Sequence, residues 1–344
     1  MNISNLMAAH GVGVGGRKFD FKKEMLVSAT RMRRTTHGQT TDTDPVVAVG
    51  KTKVAQRRSE SFSVVDVYDH RTKQLICSIN LSSQFGVGFY PDTTSAIISG
   101  AFIGDYLVMS IFNGSTRHQP VYNATTGAYV RNLSAGYGWI DWRIGPDDAL
   151  YTVENANLRK IDTSGNIVWT TLISTSNGNG AIIAGFEDGF VYIGHSANGI
   201  MSYYNMTTGA KQAERMVTSY STQTIGTMRK FGSEYFVLNS GNEYRVFTDN
   251  TLQTPARTVK GVSFFYKISD TEMLVCGYAG TAGYGEMFTV NPANFAVINP
   301  CISAFNILEQ PIYEEQGKVI YFPAKKTQGD FMAGQSLVKV HLKG

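Results

Sequence analysis

The chain has 344 residues and a formal net charge of +4; 42% of its residues are hydrophobic, 12% aromatic and only 17% charged, and 35 are glycines. This composition supplies one large core and many turns, and no run approaches the length of a membrane-spanning apolar helix, so no membrane partner is expected. A surface so poor in charge suits burial in an assembly better than a free cytosolic enzyme.

Residues 1–44 read as an extended arm. They are rich in Gly, Thr, Arg and Met, cannot bury enough apolar surface to fold alone, and end at TTDTDP, where Pro45 marks a boundary. Residues 1–58 carry eleven Lys/Arg against four Asp/Glu, so the basic character belongs to the N-terminal segment and the remainder is net acidic. The first residues, MNISNLMAAHGVGVGG, have no positive n-region and no apolar h-region, so no Sec-type export signal is expected. GVGVGG at 11–16 formally satisfies G-x-G-x-x-G, but it has neither the preceding strand nor the following helix that cradles a pyrophosphate. Its glycines are read as pliable, closely packed chain. The basic set Arg17, Lys18, Lys22, Lys23, Arg31, Arg33 and Arg34, with Phe19 and Phe21, is expected to dock on acidic surfaces of partner subunits. Contacts to nucleic-acid phosphates are the competing use, but a single-stranded groove would interleave more aromatics for stacking.

After Pro45 one signature returns. Aligned on the first residue of a polar turn, the units start at Asp69, Asn123, Asp162, Asn205, Thr248, Asn291 and His341, at intervals of 54, 39, 43, 43, 43 and 50 residues. A large or β-branched apolar residue precedes each, and a new strand-like run follows, which is a hairpin pattern. Expected strands of the first unit are 46–50, 62–68 and 75–79, with an insertion at 82–94. A second series, at 105–112, 149–153, 189–194, 234–238, 272–276 and 318–322, supplies one nearly continuously apolar middle strand per unit. Inner strands are expected at 95–102, 139–144 and 181–185.

Four strands per unit of about 40–45 residues is the blade of a β-propeller. Middle strands buried on both faces would read as continuous apolar runs, and no helical-period stretch is long enough for the crossover of a βαβ fold. The expected fold is therefore all-β, a seven-bladed propeller over residues 45–344 preceded by the arm. Unit 7 stops at 338–342 without an outermost strand. An open blade leaves an unpaired edge, so a strand from the N-terminal region, at 25–29, is expected to close it.

The turns YNATTGAYV, IDTSGNIVW and YNMTTGAKQ resemble the D-x-x-T-G-x-x-x-W hairpin of quinoprotein-type propeller repeats, IDTSGNIVW with Trp169 most nearly; the other units depart from it. That resemblance implies the fold and no activity, since the eight blades, export signal and cofactor site of quinoprotein dehydrogenases have no counterpart here. A glycine-rich basic arm ahead of a Ser/Thr/Asn-rich propeller, without an export signal, is similar to virion proteins of tailed bacteriophages. In those, propellers occur in tail and head-surface parts and extended arms join subunits.

No cofactor, metal or catalytic residue is assigned. Cys77, Cys276 and Cys301 form no CxxC pair and are read as buried thiols. The six histidines lack zinc spacing and are read as solvated turn residues, and GHSANG (194–199) misses the GxSxG elbow by one position. Asp147/Asp148 and Glu314/Glu315 are neighbours whose side chains diverge on a strand, and TDTDP lacks the glycine and distal glutamate of an EF-hand loop. Tyr137, Trp139 and Trp142 in GYGWIDW either stack on a sugar ring or pack between blades.

The resulting expectation is a non-enzymatic structural component of a bacteriophage virion, in the tail or head surface. Its partners would be other virion proteins and copies of itself in a symmetric assembly. The alternatives are a receptor- or glycan-binding adhesin contacting ligand through Tyr137, Trp139 and Trp142, and a channel-centred propeller enzyme.

Overall fold

A computed structural model of the chain describes residues 20–25, 32–36, 39–43, 46–58, 61–69, 71–85, 96–112, 116–136, 140–154, 156–173, 181–195, 199–216, 225–239, 243–249, 252, 255–260, 262–277, 287–301, 313–315, 319–323 and 336–341. Three strands come first: β1 (Asp20–Met25), β2 (Met32–Thr36) and β3 (Gln39–Thr43). Six four-stranded sheets follow, each made of four consecutive strands hydrogen-bonded in chain order.

The first sheet is β4 (Val46–Val49), β5 (Lys53–Arg58), β6 (Ser61–Asp69) and β7 (Leu75–Asn80). The second is β8 (Ala96–Ile103), β9 (Tyr106–Phe112), β10 (Arg117–Asn123) and β11 (Tyr129–Gly136). The third is β12 (Ile140–Ile144), β13 (Leu150–Glu154), β14 (Asn157–Ile161) and β15 (Ile167–Leu172). The fourth is β16 (Ile182–Glu187), β17 (Phe190–Gly194), β18 (Ile200–Asn205) and β19 (Lys211–Met216). The fifth is β20 (Ile225–Phe231), β21 (Glu234–Asn239), β22 (Glu243–Phe247) and β23 (Arg257–Lys260). The sixth is β24 (Val262–Ser269), β25 (Glu272–Gly277), β26 (Met287–Val290) and β27 (Val297–Cys301). All pairings within these six sheets are antiparallel.

The last strands, β28 (Tyr313–Glu315), β29 (Val319–Pro323) and β30 (Ser336–His341), form a further four-stranded sheet whose fourth member is β1, hydrogen-bonded beside β30. The N-terminal region therefore supplies the strand that the open edge required. It does so with 20–25, not with the expected 25–29. The expectation followed apolar content, but an outermost strand needs little of it, and DFKKEM is as polar as KQAERM in β19. Among the described strands β2 and β3 pair with each other alone, as a two-stranded ribbon.

The middle strands fall where the apolar runs lie. β13 is buried at every position and β17 at four of five, because each is covered on both faces. The unpredicted strand of the first sheet is β5, whose KVAQRR mixes charge with apolar residues. The first interval of the repeat is stretched by a segment that begins with one helical turn, Ser82–Phe85. Among the described residues no helix is long and apolar enough to cross a membrane.

The chain divides into two compact units, one of Glu24–Leu172 and Phe331–Leu337, the other of Met1–Lys23, Ile173–Asp330 and Val338–Gly344. Within the first, Val47, Ala55, Val65 and Val67 of the first sheet pack against Leu107, Met109, Ile111 and Tyr122 of the second. Ile103, Val108 and Val121 then pack against Leu150 and Ile161 of the third. Within the other unit, Ala184, Tyr192 and Met201 meet Met228, Tyr235, Val237 and Phe247, and Phe236, Tyr244 and Val246 meet Met273, Val275 and Val290. Each core cluster thus spans two consecutive sheets. Burying one such side chain contributes about 1.5–3 kcal/mol, so in each unit neighbouring sheets hold one another.

Candidate interaction surface

The recurrent turn is a side-chain-capped hairpin. The Asp69 Oδ1 accepts hydrogen bonds from the Arg71 and Thr72 amides at 2.9 and 2.7 Å. Asn123 does the same for Thr125 and Thr126, both at 2.9 Å, and Asn205 for Thr207 and Thr208, both at 2.9 Å. Asp162 holds the Ser164 and Asn166 amides at 2.9 and 2.8 Å. This is why Asp or Asn opens the turn: a short side chain satisfies backbone donors that a two-residue step leaves unpaired. Those bonds hold the Asp69 carboxyl below its ordinary value, the Thr72 amide most of all.

The turn also docks on the preceding sheet. Gly127 has φ +75°, and a Cβ there would lie 2.9 Å from the Ser78 carbonyl oxygen of β7, so both conformation and proximity demand glycine. Beside it the Cys77 thiol donates to the Ala124 carbonyl at 3.6 Å. Cys77 is half-buried, and burial raises its thiol pKa. One sheet on, Arg131 of β11 reaches Asn166 Oδ1 at 2.8 Å and the Ser164 carbonyl at 3.0 Å. Arg257 of β23 repeats the device in the other unit. It grips Glu234 with two 2.7 Å bonds, donates to the Pro292 carbonyl at 2.8 Å, and lies over the Phe236 and Phe295 rings.

The opposite hairpins of the sheets carry acids that tie neighbours together. Asp188, at φ +53°, accepts from Lys230 at 2.8 Å and from the Tyr235 hydroxyl at 2.8 Å. Burial alone would raise its carboxyl, but these partners hold it low. Glu187 next to it accepts the Lys230 amide at 2.9 Å, yet burial dominates and raises its pKa. Asp147 takes Lys160 at 2.7 Å and the Tyr151 hydroxyl at 2.9 Å. It is thus an ion-paired residue of the β12–β13 turn. In the first sheet Arg58 pairs with Asp66 through 2.9 and 2.7 Å bonds, and Ser78 adds one of 2.7 Å.

His195 departs from the solvated role expected of the histidines. It is 1% exposed, with Nε2 at 2.8 Å from Ser202 Oγ, and burial lowers its pKa. The signal for this was its place immediately after the apolar run FVYIG. Buried to this degree, the His–Ser pair holds strands β17 and β18 together and is closed to a substrate. Among the described residues no group of three or more His, Cys, Asp or Glu is placed to hold a metal ion.

Of the arm residues, Phe21, Lys22 and Lys23 lie in β1, and Arg33 and Arg34 lie in β2 opposite Asp42 and Thr41 of β3. Arg17, Lys18, Phe19 and Arg31 lie outside the described residues, as do Tyr137 and Trp139. Trp142 sits in β12 opposite Thr152, partly buried against the Ile103, Val108, Val121, Leu150 and Ile161 cluster. The structure therefore does not bring the three aromatic candidates together as a described surface. Exposed apolar residues among the described ones lie mostly on the fourth strands of their sheets, Leu75 on β7, Tyr129 and Val130 on β11, Ile167, Val168 and Leu172 on β15 and Ile298 on β27, with Ile144 at the end of β12.

No family model matches the sequence, and no curated protein matches it. Solved structures do. A chain of the mitotic checkpoint complex aligns with TM-score 0.58 and 9% identity over 97% of this chain and 96% of its own. The WD40 repeats of RRP9 align with TM-score 0.58 and 8% identity over 94% of this chain and 100% of theirs. At such identities the likeness speaks for the fold alone: an all-β chain of β-propeller type, whose four-stranded antiparallel sheets fit propeller blades.

Proposed function

We propose that the chain is a seven-bladed propeller acting as a non-enzymatic structural component of a bacteriophage virion, in the tail or head surface, held to neighbouring subunits by its N-terminal segment. The blade count rests on the six consecutive sheets plus the sheet that β1 completes. The observation that carries the anchoring role is the β2–β3 ribbon. It stands between the strand that completes the last sheet and the strand that starts the first, and it belongs to neither. A lone two-stranded ribbon is marginal in water and gains order by pairing with or filling a groove on another chain. Its Arg33 and Arg34 sit at adjacent register positions and would set the orientation of docking more than its strength. The partners are other virion proteins and copies of this chain. The virion assignment is supported by the likeness of a basic, glycine-rich leader on a Ser/Thr/Asn-rich propeller to such proteins.

The ribbon can be removed without touching β1. A chain in which a short Gly/Ser linker replaces residues 26–44 should fold and melt as the parent does but fail to enter particles. Incorporation at the parental level would refute the anchoring role. Failure of an antibody against the parent chain to label purified particles would refute the location.

A further inference from the structure

We propose that the second and third sheets hold ordered water between them, in a buried polar layer built from Ser110, Gln119, Thr152 and Glu154. These residues are 1%, 0%, 0% and 1% exposed. Five of their atoms, Ser110 Oγ, Gln119 Oε1 and Nε2, Thr152 Oγ1 and Glu154 Oε1, have no hydrogen-bond partner in the protein. A buried polar group without a partner is costly, and native interiors satisfy such groups with other protein atoms or with ordered water.

Register brings the four residues together. The β9–β10 pairing runs from Phe112 opposite Arg117 to Val108 opposite Val121 without a shift, which places Gln119 opposite Ser110. On β13, Thr152 lies opposite Trp142 and Arg159, and Glu154 lies opposite Asn157. Residues two apart on a strand share a face. Ser110 and Gln119 therefore share theirs with Val108 and Val121, and Thr152 and Glu154 share theirs with Leu150. Those apolar residues form one cluster, with Ile161 and Trp142, that joins the two sheets. The hairpin ends of the sheets coincide, since a Cβ on Gly104, between β8 and β9, would lie 2.9 Å from the Thr163 carbonyl oxygen of the β14–β15 turn. One step further from those ends, polar meets polar: Ser110 and Gln119 face Thr152, with Glu154 beyond it. The whole layer lies inside one compact unit.

Water is the occupant that the chemistry favours. Glu154 Oε1 and Gln119 Oε1 accept, Gln119 Nε2 donates, and the two hydroxyls can do both. A guest must therefore donate and accept within a short reach, which water does with two to four partners. An anion would face the Glu154 carboxylate. A metal cation would find one carboxylate, whose other oxygen Arg159 already holds at 2.8 Å. An apolar guest would leave all five atoms as they are. Ser110 and Thr152 also stand one step from the larger Val108 and Leu150, so side chains fill less of the gap between the sheets in the polar layer than in the apolar one. This inference is independent of the role given to the N-terminal segment.

The test is a water–methyl NOE experiment on the whole chain with labelled methyl groups, together with relaxation dispersion of the water oxygen, which counts long-lived internal waters. Methyls of Val108, Val121 and Leu150 should show NOEs to long-lived water. Methyls of Ala55 and Met109, in the apolar contact between the first and second sheets, should show none. A chain carrying Gln119→Leu and Thr152→Val together should lose at least one counted water and weaken the NOEs at Val108, Val121 and Leu150. Three parental methyls without a water NOE, NOEs as strong at Ala55 and Met109, or an unchanged water count in the double variant would each overturn the inference. If the double variant fails to fold, the comparison of methyls in the parent alone decides it.

Discussion

Gly185 in β16 offers the sharpest test of how consecutive sheets pack. A Cβ built at this position falls 2.2 Å from the Met228 carbonyl oxygen of β20 and 2.7 Å from Arg229 Nη1. The guanidinium can swing away, but the carbonyl is backbone. Real Cβ atoms essentially never come within 3.0 Å of a neighbour, so Gly185→Ala must push β16 and β20 apart by about 0.8 Å or more. The gap would open beneath Ala184, Tyr192, Met228 and Val237, all 0–1% exposed. Overpacking of this kind costs about 1–3 kcal/mol, and lost contact across the separated faces brings the total to about 2–4 kcal/mol. Gly189, four residues on, is the control. Its φ is +80° but nothing lies within 4 Å of its Cβ position, so Gly189→Ala should cost only the conformational penalty, about 1–2 kcal/mol. Urea unfolding of the two variants, followed by far-UV circular dichroism at constant m-value, gives the comparison. If Gly185→Ala proved no worse than Gly189→Ala, the close approach of β16 to β20 would be wrong.

Three further outcomes follow from the site geometry. Arg257→Ala removes a bidentate pair, a bond to the Pro292 carbonyl and contact with two rings, and should destabilise by about 1–3 kcal/mol in thermal unfolding; Arg257→Lys should recover only part of that, because an ammonium cannot make the forked contact. His195 is buried neutral with a lowered pKa, so the unfolded chain takes up a proton near the usual value of 6.5 while the folded chain resists it. Stability should therefore be unaffected by this group above that pH and fall as pH drops below it. His195→Gln should flatten the fall measured by denaturation between pH 7 and 5, less the part due to His118, whose pKa burial also lowers. Asn205→Ala leaves the Thr207 and Thr208 amides without their shared acceptor and should cost about 1 kcal/mol, read as a shift of the urea midpoint.

Legibility in the sequence followed burial. β9, β13, β17, β21 and β25 were visible because a strand covered on both faces is apolar throughout. The hairpins were visible because Asp162 and its counterparts must be Asp or Asn to cap their turns, and Gly127 must be glycine to turn under Ser78. The strands that were missed or misplaced are those whose sequence mixes charge with few apolar residues: β5 with KVAQRR, although its Val54, Ala55 and Gln56 are buried, and β1 with DFKKEM, where the search for apolar residues went to 25–29. Contacts across sheets were not readable at all. Nothing in the residue types says that Arg131 and Arg257 reach the next hairpin, or that Lys230 meets Asp188, because such pairs depend on the distance between separate sheets. Gly185 left a weaker trace, since a glycine inside a strand often marks a close backbone approach.

The pairing of β1 with β30 joins the fold to the proposed role of the N-terminal segment, and hydrogen exchange of the chain lacking residues 1–25 tests it most directly. With β1 absent, the amides of Ser336–His341 that point toward it, about half of the strand, should exchange at rates near those of open chain, while Leu150–Glu154 of β13 keep their protection. Unchanged protection along Ser336–His341 would mean that β30 does not depend on the N-terminus, and both the completed seventh sheet and the anchoring scheme built on it would fall.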